Sequence, residues 1–202
     1  MRKFAFLTSF AVAVLLFACQ FATAQQGDFF LGGGSLVSSS SSNGTAPSES
    51  GGLYINLGGD VVLHNRFGFN VETAWRATQG AFDDTGLNYR PIFTDFNVLF
   101  QPKLGAHAGL DLMGGIGVGA TRFYEPGPSS PGYANYASQD HFMEHLGGGI
   151  RYYVWKHVFV RPEIHYYHVQ SNNSVTVNGA YSFNTDNLFR VGASVGYTLG
   201  GD

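Results

Sequence analysis

The chain has 202 residues, of which 28 are glycine, 15% are aromatic and only 12% are charged. Soluble domains usually carry about a quarter charged residues, so this composition favours a chain that contacts lipid. The formal net charge of −3 argues against a nucleic-acid partner, which would require a basic face. Cys19 is the only cysteine, which excludes a disulfide framework and a thiolate metal site.

Residues 1–24 are predicted to be a cleaved secretory signal peptide. A basic N-terminal pair precedes an apolar run of about 15 residues, shorter than the roughly 20 that a membrane-spanning helix needs, and Ala22-Thr23-Ala24 supplies a small-residue cleavage site. Leu16-Phe17-Ala18-Cys19 also resembles a lipoprotein signal that would place a lipid on Cys19. Bulky Phe17 fits that alternative poorly. We therefore expect residues 25–202 to form one exported domain.

Beyond residue 26 the chain alternates between apolar residues and polar residues or glycine. A period of two places the two sets on opposite faces of a β-strand, so the fold is predicted to be all-β. Each predicted strand is long enough to cross the hydrocarbon when tilted, which takes about 9–11 residues. The eight predicted strands cover residues 27–37, 51–63, 67–78, 89–100, 106–123, 139–155, 159–170 and 187–199.

The connections between these strands are alternately long and short. The short ones cover 64–66, 101–105 and 156–158, and the long ones, rich in Ser, Asn, Gly and Pro, cover 38–50, 79–88, 124–138 and 171–186. This arrangement is typical of an antiparallel up-and-down transmembrane β-barrel in an outer membrane, with the long loops outside the cell. Strands in lipid cannot leave open edges, so the sheet must close. The loops are candidate contact sites for an extracellular ligand.

Strand parity predicts which side chains point into the barrel. An eight-stranded barrel has an interior just wide enough for side chains to fill it, so we expect a plugged, structural polar network and no continuous pore. Its acidic and basic members nearly cancel in charge. A turn at 156–158 would place Trp155 opposite Phe159 and Arg151 opposite Glu163. The predicted network comprises Asp60, Glu72, Arg76, Asp95, Asp111, Arg151, Arg161, Glu163, His165 and Arg190.

Aromatic residues concentrate towards both ends of the predicted strands. Such residues favour the two membrane–water interfaces, so they are interpreted as two aromatic belts. The outer belt would contain Trp75, Tyr89, Phe93, Phe123, Phe142 and Tyr166, and the inner belt Phe67, Phe100, Tyr152, Trp155 and Tyr197.

From Gly27 to Leu199 the chain resembles the small eight-stranded outer-membrane barrels of the OmpA/OmpX-like superfamily. The similar stretches include Tyr54–Asp60, Arg90–Asn97 and Val158–Glu163. The resemblance implies a barrel that contacts outer-membrane lipids and the barrel-insertion machinery, and it carries no catalytic residue and no cofactor.

Two short motifs point to other chemistry. His141 to His145 spells H-x-x-E-H, a zinc-protease motif that works on a helix. On a strand its histidines lie about 13 Å apart and Glu144 points the other way, so no metal is expected there. His165 could join these histidines in a small-molecule or metal site, but a hydrogen-bonded interior histidine is the simpler interpretation. Gly115–Gly119 resembles a dinucleotide fingerprint without the helix that such a site needs.

Three functional hypotheses follow from the sequence. The leading one is a non-enzymatic outer-membrane barrel with a plugged polar interior, which contributes to membrane structure or to surface contacts through its four loops. The first alternative is a narrow channel for ions or small solutes. The second is a lipid-modifying enzyme, which needs a nucleophile and a base together; His168 lies near Ser171 but lacks a convincing third partner.

Overall fold

A computed structural model describes residues 26–38, 48–63, 66–82, 87–124, 136–170, 176–177, 180–181 and 186–200. The regular elements within these ranges are all strands, and among the same residues no helix is long and apolar enough to cross a membrane. In chain order the strands are β1 Gln26–Ser38, β2 Tyr54–Val62, β3 Phe67–Arg76, β4 Gly80–Phe82, β5 Leu87–Phe100, β6 Ala108–Tyr124, β7 Tyr136–Tyr153, β8 Val158–Val169, β9 Thr176–Val177, β10 Ala180–Tyr181 and β11 Asp186–Gly200.

Eight long antiparallel strands close into a barrel. The order is β3-β2-β1-β11-β8-β7-β6-β5, and β5 pairs with β3 to complete the ring. The Cα partners followed once around the barrel from Asp28 lead back to β1 at Ser38, ten residues further along. With ordinary strand spacings this stagger corresponds to a strand tilt of about 40° and a barrel radius of about 8 Å.

The two faces of the wall differ as the alternation predicts. Large apolar side chains project outwards and pair across strands, for example the stacked rings of Phe67 and Phe100, 4.7 Å apart, and of Phe69 and Phe96, 5.7 Å apart. Inward positions on the same strands hold buried polar side chains such as Asn70, Glu72 and Asp95. The predicted all-β, eight-stranded antiparallel barrel is confirmed.

The structure differs from the prediction in its connections. The three-residue β4 lies inside the predicted loop 79–88 and pairs with the start of β5, while β9 and β10 form a small separate hairpin inside the predicted loop 171–186. Most of the residues in the four predicted loops lie outside the described residues.

The predicted register between β7 and β8 is wrong. Tyr153 pairs with Phe159, and Gly149, not Arg151, pairs with Glu163. The turn lies one residue earlier in the chain than predicted, because the backbone N–H of Val154 donates to the carbonyl of Val158 at 2.9 Å. A one-residue displacement of a hairpin turn shifts the pairing by two residues, which keeps the same face inward and changes every partner.

Candidate functional site in the barrel lumen

Arg151 is the centre of the lower ionic cluster, the one nearest the short-turn end of the lumen, which also contains Asp28, Asp60 and Asp111. Its guanidinium donates to Asp28, to Asp60 at 2.7 Å and to Asp111 at 2.9 Å, and all four side chains are almost fully buried. Its guanidinium carbon also lies 4.0 Å from the ring centroid of Phe159. One arginine on β7 therefore joins the carboxylates of β1, β2 and β6 across the interior.

Arg161 extends this cluster towards the middle of the barrel. Its Nη1 lies 3.0 Å from Asp111 Oδ2 and 3.3 Å from Asp60 Oδ2, and its Nε donates to Glu163 Oε2 at 2.9 Å. The guanidinium stacks 4.1 Å from the ring centroid of Phe30. Charge-assisted hydrogen bonds of this kind are roughly twice as strong as neutral ones, so Arg161 couples the lower cluster firmly to Glu163.

Two glycines make room for the rings beneath these guanidinia. A Cβ added to Gly58 would fall within 3 Å of the Phe30 ring, and one added to Gly196 would overlap the Phe159 ring in the same way. The rings therefore lie directly against the bare backbone of a neighbouring strand. Because the rings lie close to the wall, the guanidinium groups occupy the centre of the narrow lumen.

A second cluster, the upper ionic cluster, lies on the long-loop side of the lower one. Arg190 donates to Glu72, and its Nη2 lies 3.4 Å from Glu163 Oε1. His165 Nδ1 is 3.0 Å from His145 Nε2, so one ring must donate and the other accept. Glu163 belongs to both clusters, because Arg161 and Arg190 both contact its carboxylate.

An apolar layer covers the ionic clusters on the long-loop side. The Phe93 and Tyr167 rings stack there with centroids 5.2 Å apart, and Tyr167 also stacks on His145 at 4.9 Å. The side chains of this layer come from β1, β2, β5, β7, β8 and β11, and all of them are fully buried. The apolar layer consists of Leu36, Tyr54, Phe93, Met143, Tyr167, Val169 and Leu188.

The short-turn end of the lumen opens into a vestibule of about 1240 Å³. Gln26, Gln101 and Thr198 line its walls, and Arg151 lies at its inner end. Tyr153 contributes its hydroxyl, which lies 3.1 Å from the Thr198 hydroxyl. The vestibule therefore ends at the lower ionic cluster.

One group in the described part of the chain has the composition of a metal site. One ligand atom from each of Glu72, Glu163 and His165 lies within 4.8 Å of the others. Arg161 and Arg190 already bind the two carboxylates, and two guanidinia beside a cation would repel it. The arrangement fits arginine ligation better than metal ligation.

The H-x-x-E-H stretch does not converge on a common point. His141 Nδ1 lies 3.1 Å from the carbonyl of Gln170, and His145 belongs to the upper ionic cluster. Glu144 is exposed on the outer face. The three side chains therefore lie in three separate environments.

The chain matches a known protein family over nearly its whole length. A family model described as outer membrane protein beta-barrel domain matches residues 8–195. The chain belongs to this family. No curated protein sequence matches it.

Several solved structures share the barrel at very low sequence identity. Neisserial surface protein A has a TM-score of 0.58 and 10% identity, over 85% of this chain and 95% of that one. A major outer membrane protein from Thermus thermophilus has a TM-score of 0.56 and 10% identity, over 86% and 99%. Ail from Yersinia pestis has a TM-score of 0.54 and 12% identity, over 87% and 99%. These likenesses show the fold.

The protein is thus an outer-membrane β-barrel, as the sequence predicted. In such barrels the short turns face the periplasm and the long loops face the outside. The vestibule then opens to the periplasm, and the apolar layer lies towards the extracellular side.

The structure brings most of the sequence-predicted network together. Nine of the ten predicted residues are buried in the two ionic clusters or beside them: Asp60, Glu72, Asp95, Asp111, Arg151, Arg161, Glu163, His165 and Arg190. Arg76 lies apart at the extracellular end, half-buried, where its guanidinium donates to the Tyr89 hydroxyl at 2.9 Å. Among the described residues it contacts the tyrosine and no carboxylate of the clusters.

The expected charge balance is wrong. Asp28, which is absent from the predicted network, is an additional buried carboxylate, and Arg76 lies too far towards the extracellular end to contact the clusters. In and beside the two ionic clusters, carboxylates therefore outnumber guanidinia by three: Asp28, Asp60, Glu72, Asp95, Asp111 and Glu163 against Arg151, Arg161 and Arg190. Other buried polar residues missing from the predicted network include Asn56, Asn70, Asn97, His145 and Ser194.

The assignment of the outer aromatic belt is partly wrong. Tyr89, Phe93 and Phe123 point inwards and are buried. Phe93 belongs to the apolar layer, and the other two pack with Phe82 and Leu87 nearer the loops. The inward aromatics thus fill the extracellular half of the lumen instead of facing lipid.

Proposed function

We propose that the protein is a non-enzymatic outer-membrane barrel with a closed lumen, which contributes to membrane structure or to contacts at the cell surface. The observation that carries the proposal is the apolar layer above the ionic clusters. Together these two regions fill the interior along most of its length. We further propose that residues 1–24 are removed on export and that the barrel-insertion machinery assembles residues 25–202.

The ionic clusters support closure because they connect walls that are far apart in the chain. Arg151 on β7 binds carboxylates on β1, β2 and β6, and Arg190 on β11 binds Glu72 on β3. A passing ion would have to displace several buried charge-assisted hydrogen bonds at once. It would then meet the apolar layer, whose side-chain oxygens are the two hydroxyls of Tyr54 and Tyr167.

The proposed surface role rests on the four long loops at the extracellular end. Their serine, asparagine and glycine content suits exposed, adaptable segments. One structurally similar protein, Ail from Yersinia pestis, has been solved in complex with the heparin analogue sucrose octasulfate. At 11% identity this likeness extends to the fold, so the ligand of these loops is left to direct binding measurements.

A non-enzymatic role agrees with the surroundings of His168. Its Nδ1 lies 3.0 Å from Asn187 Oδ1, and the strand partner Glu144 does not form an ion pair with it in the described structure. Ser171, the nearest serine along the chain, lies outside the described residues. The bond to Asn187 leaves Nε2 of the ring available as a base, but among the described residues no hydroxyl is hydrogen-bonded to it.

Reconstitution in a planar lipid bilayer tests the closed lumen. We expect no steady ion current from the wild-type protein, with at most rare brief openings. Stable stepwise conductance would replace the proposal with the channel hypothesis. Because buried carboxylates outnumber guanidinia, such a channel would favour cations over anions.

A further inference from the structure

Two arginines face each other on the outside of the barrel near its extracellular end. Arg90 on β5 and Arg122 on β6 are direct Cα partners. Their parity is that of the outward residues Thr94 and Val118, so both side chains lie on the lipid side of the wall. Like charges directly opposite each other destabilise an antiparallel pair, and an anion between them would remove that cost.

Neither arginine has a carboxylate partner among the described residues. Arg90 Nη2 donates to the carbonyl of Ala77 at 3.4 Å, and Nε of both arginines lacks a hydrogen-bond partner among the described residues. Asp140 is the outward acid next to them on β7, but it is paired in register with Ala120 and forms no ion pair with Arg122 in the described structure. The two guanidinia therefore retain donors for a ligand.

Two tyrosines hold these guanidinia in place. The guanidinium carbon of Arg122 lies 4.4 Å from the ring centroid of Tyr136, and that of Arg90 lies 6.0 Å from the centroid of Tyr124. Cation–π contacts of this length restrict an arginine without using its hydrogen-bond donors. The donors are thus oriented before any ligand arrives.

The height of the pair matches the head groups of the outer leaflet. Ile92 and Ala120 form the next outward-facing pair, two residues closer to the membrane centre on each strand. Trp75 is the partner of Ile92 on β3 and marks the extracellular edge of the apolar outer surface. At a rise of about 3.3 Å per residue and the tilt of the strands, Arg90 lies about 5 Å above Ile92. Arginines just beyond an aromatic belt lie among lipid head groups.

We propose that Arg90 and Arg122 form a binding site for the phosphate group of a phosphorylated lipid in the outer leaflet. Guanidinia bind phosphate oxygens through paired N–H groups, and two of them can share one phosphate. Tyr124 and Tyr136 would flank the head group. The site lies on the outer wall and does not depend on whether the lumen conducts.

Binding of lipid A to the full chain in detergent micelles, followed by native mass spectrometry, tests this site. The probes are lipid A carrying its phosphates, the same lipid with the phosphates removed, and inorganic phosphate. Losing charge-assisted bonds from two arginines should weaken binding of phosphorylated lipid A about tenfold or more in Arg90→Gln/Arg122→Gln. Wild-type protein should prefer the phosphorylated lipid by a similar factor and bind inorganic phosphate much more weakly.

The matched control is Lys103→Gln/Lys156→Gln, which removes the same charge at the periplasmic end and should leave lipid binding within about twofold of wild type. Unboiled and boiled samples on an SDS gel establish that each variant is folded. If a double variant fails to fold, Arg90→Gln alone should still lower the affinity. Equal loss in both double variants, no preference for the phosphorylated lipid, or equally tight binding of inorganic phosphate would each overturn the proposal.

Discussion

The two halves of the lumen are filled by opposite chemistry. In the periplasmic half, arginines cross the interior to carboxylates on distant strands, and each contact depends on direction and charge. In the extracellular half, the apolar layer packs fully buried aromatic and aliphatic side chains against one another. Both halves are dense, but they contribute differently to closure.

The two halves differ in how readily they accommodate water. Several buried polar atoms of the ionic half, including Glu72 Oε2, Arg161 Nη2 and Asp95 Oδ2, have no hydrogen-bond partner among the described residues. Buried polar atoms of this kind are usually satisfied by internal water, so this half tolerates water. The apolar layer offers water fewer partners, because its side-chain oxygens are the two hydroxyls of Tyr54 and Tyr167. We infer that the ionic half ties the walls together and that the apolar layer excludes water.

The largest expected effect comes from removing the arginine that binds three carboxylates. Arg151→Met leaves Asp28, Asp60 and Asp111 buried without their common partner, which should lower the free energy of unfolding by about 3–5 kcal/mol. Urea unfolding of the barrel inserted in lipid vesicles measures the change. Lys103→Met, at an exposed turn position, is the control and should stay within about 0.5 kcal/mol of wild type. A loss below about 1 kcal/mol for Arg151→Met would show that the cluster does not stabilise the barrel.

In the apolar layer, the free energy of unfolding should depend on the side-chain volume that a substitution removes, not on charge. Phe93→Ala deletes a fully buried ring stacked on Tyr167, and the cavity should cost about 3 kcal/mol. Phe93→Leu keeps most of the apolar volume and should cost less than about 1.5 kcal/mol. The same urea experiment compares them. Equal losses for the two variants would argue that the ring does not fill the layer.

A smaller effect, the coupling energy between two substitutions, distinguishes residues in direct contact from residues that lie apart. Arg190→Met and Glu72→Gln remove the two sides of one contact, so a double-mutant cycle should give a coupling of about 1–3 kcal/mol. The reference cycle pairs Arg190→Met with Asp28→Asn, which lie in different clusters and share no contact in the described structure. Its coupling should be within about 0.5 kcal/mol of zero. Equal couplings in the two cycles would mean that the clusters act as one unit.

The sequence predicts the faces of the strands well because the pleat alone determines them. Asp95 and Glu163 point inwards whatever their neighbours are. Their partners depend on register, and one residue in the placement of the β7–β8 turn changed the expected partner of Arg151 from Glu163 to three aspartates. Hairpin register depends on local turn geometry, which alternation does not encode.

Two other differences between the predicted and observed lumen have identifiable causes. Phe93 shares its parity with Asp95 and so points inwards, whereas its distance from the strand end alone would place it in an aromatic belt. Asp28 lies on the same face as Phe30 and Leu36 of β1, and that mixed face gives no clear polar alternation. The height of a residue along a tilted barrel follows from the stagger between strands, which becomes known only when all the pairings are known.

The closed lumen is tested most directly by the reactivity of a cysteine placed inside it. Ser194 is buried within the ionic half, 3.1 Å from the Glu163 carboxylate that belongs to both clusters, and Ser194→Cys in a Cys19→Ser background introduces one nearly isosteric thiol. We predict that a charged methanethiosulfonate reagent leaves it unmodified in the folded barrel and modifies it after urea unfolding, while Ser138→Cys, exposed near the extracellular end, reacts in both states. Modification of Ser194→Cys in the folded protein at a rate close to that of Ser138→Cys would contradict the account.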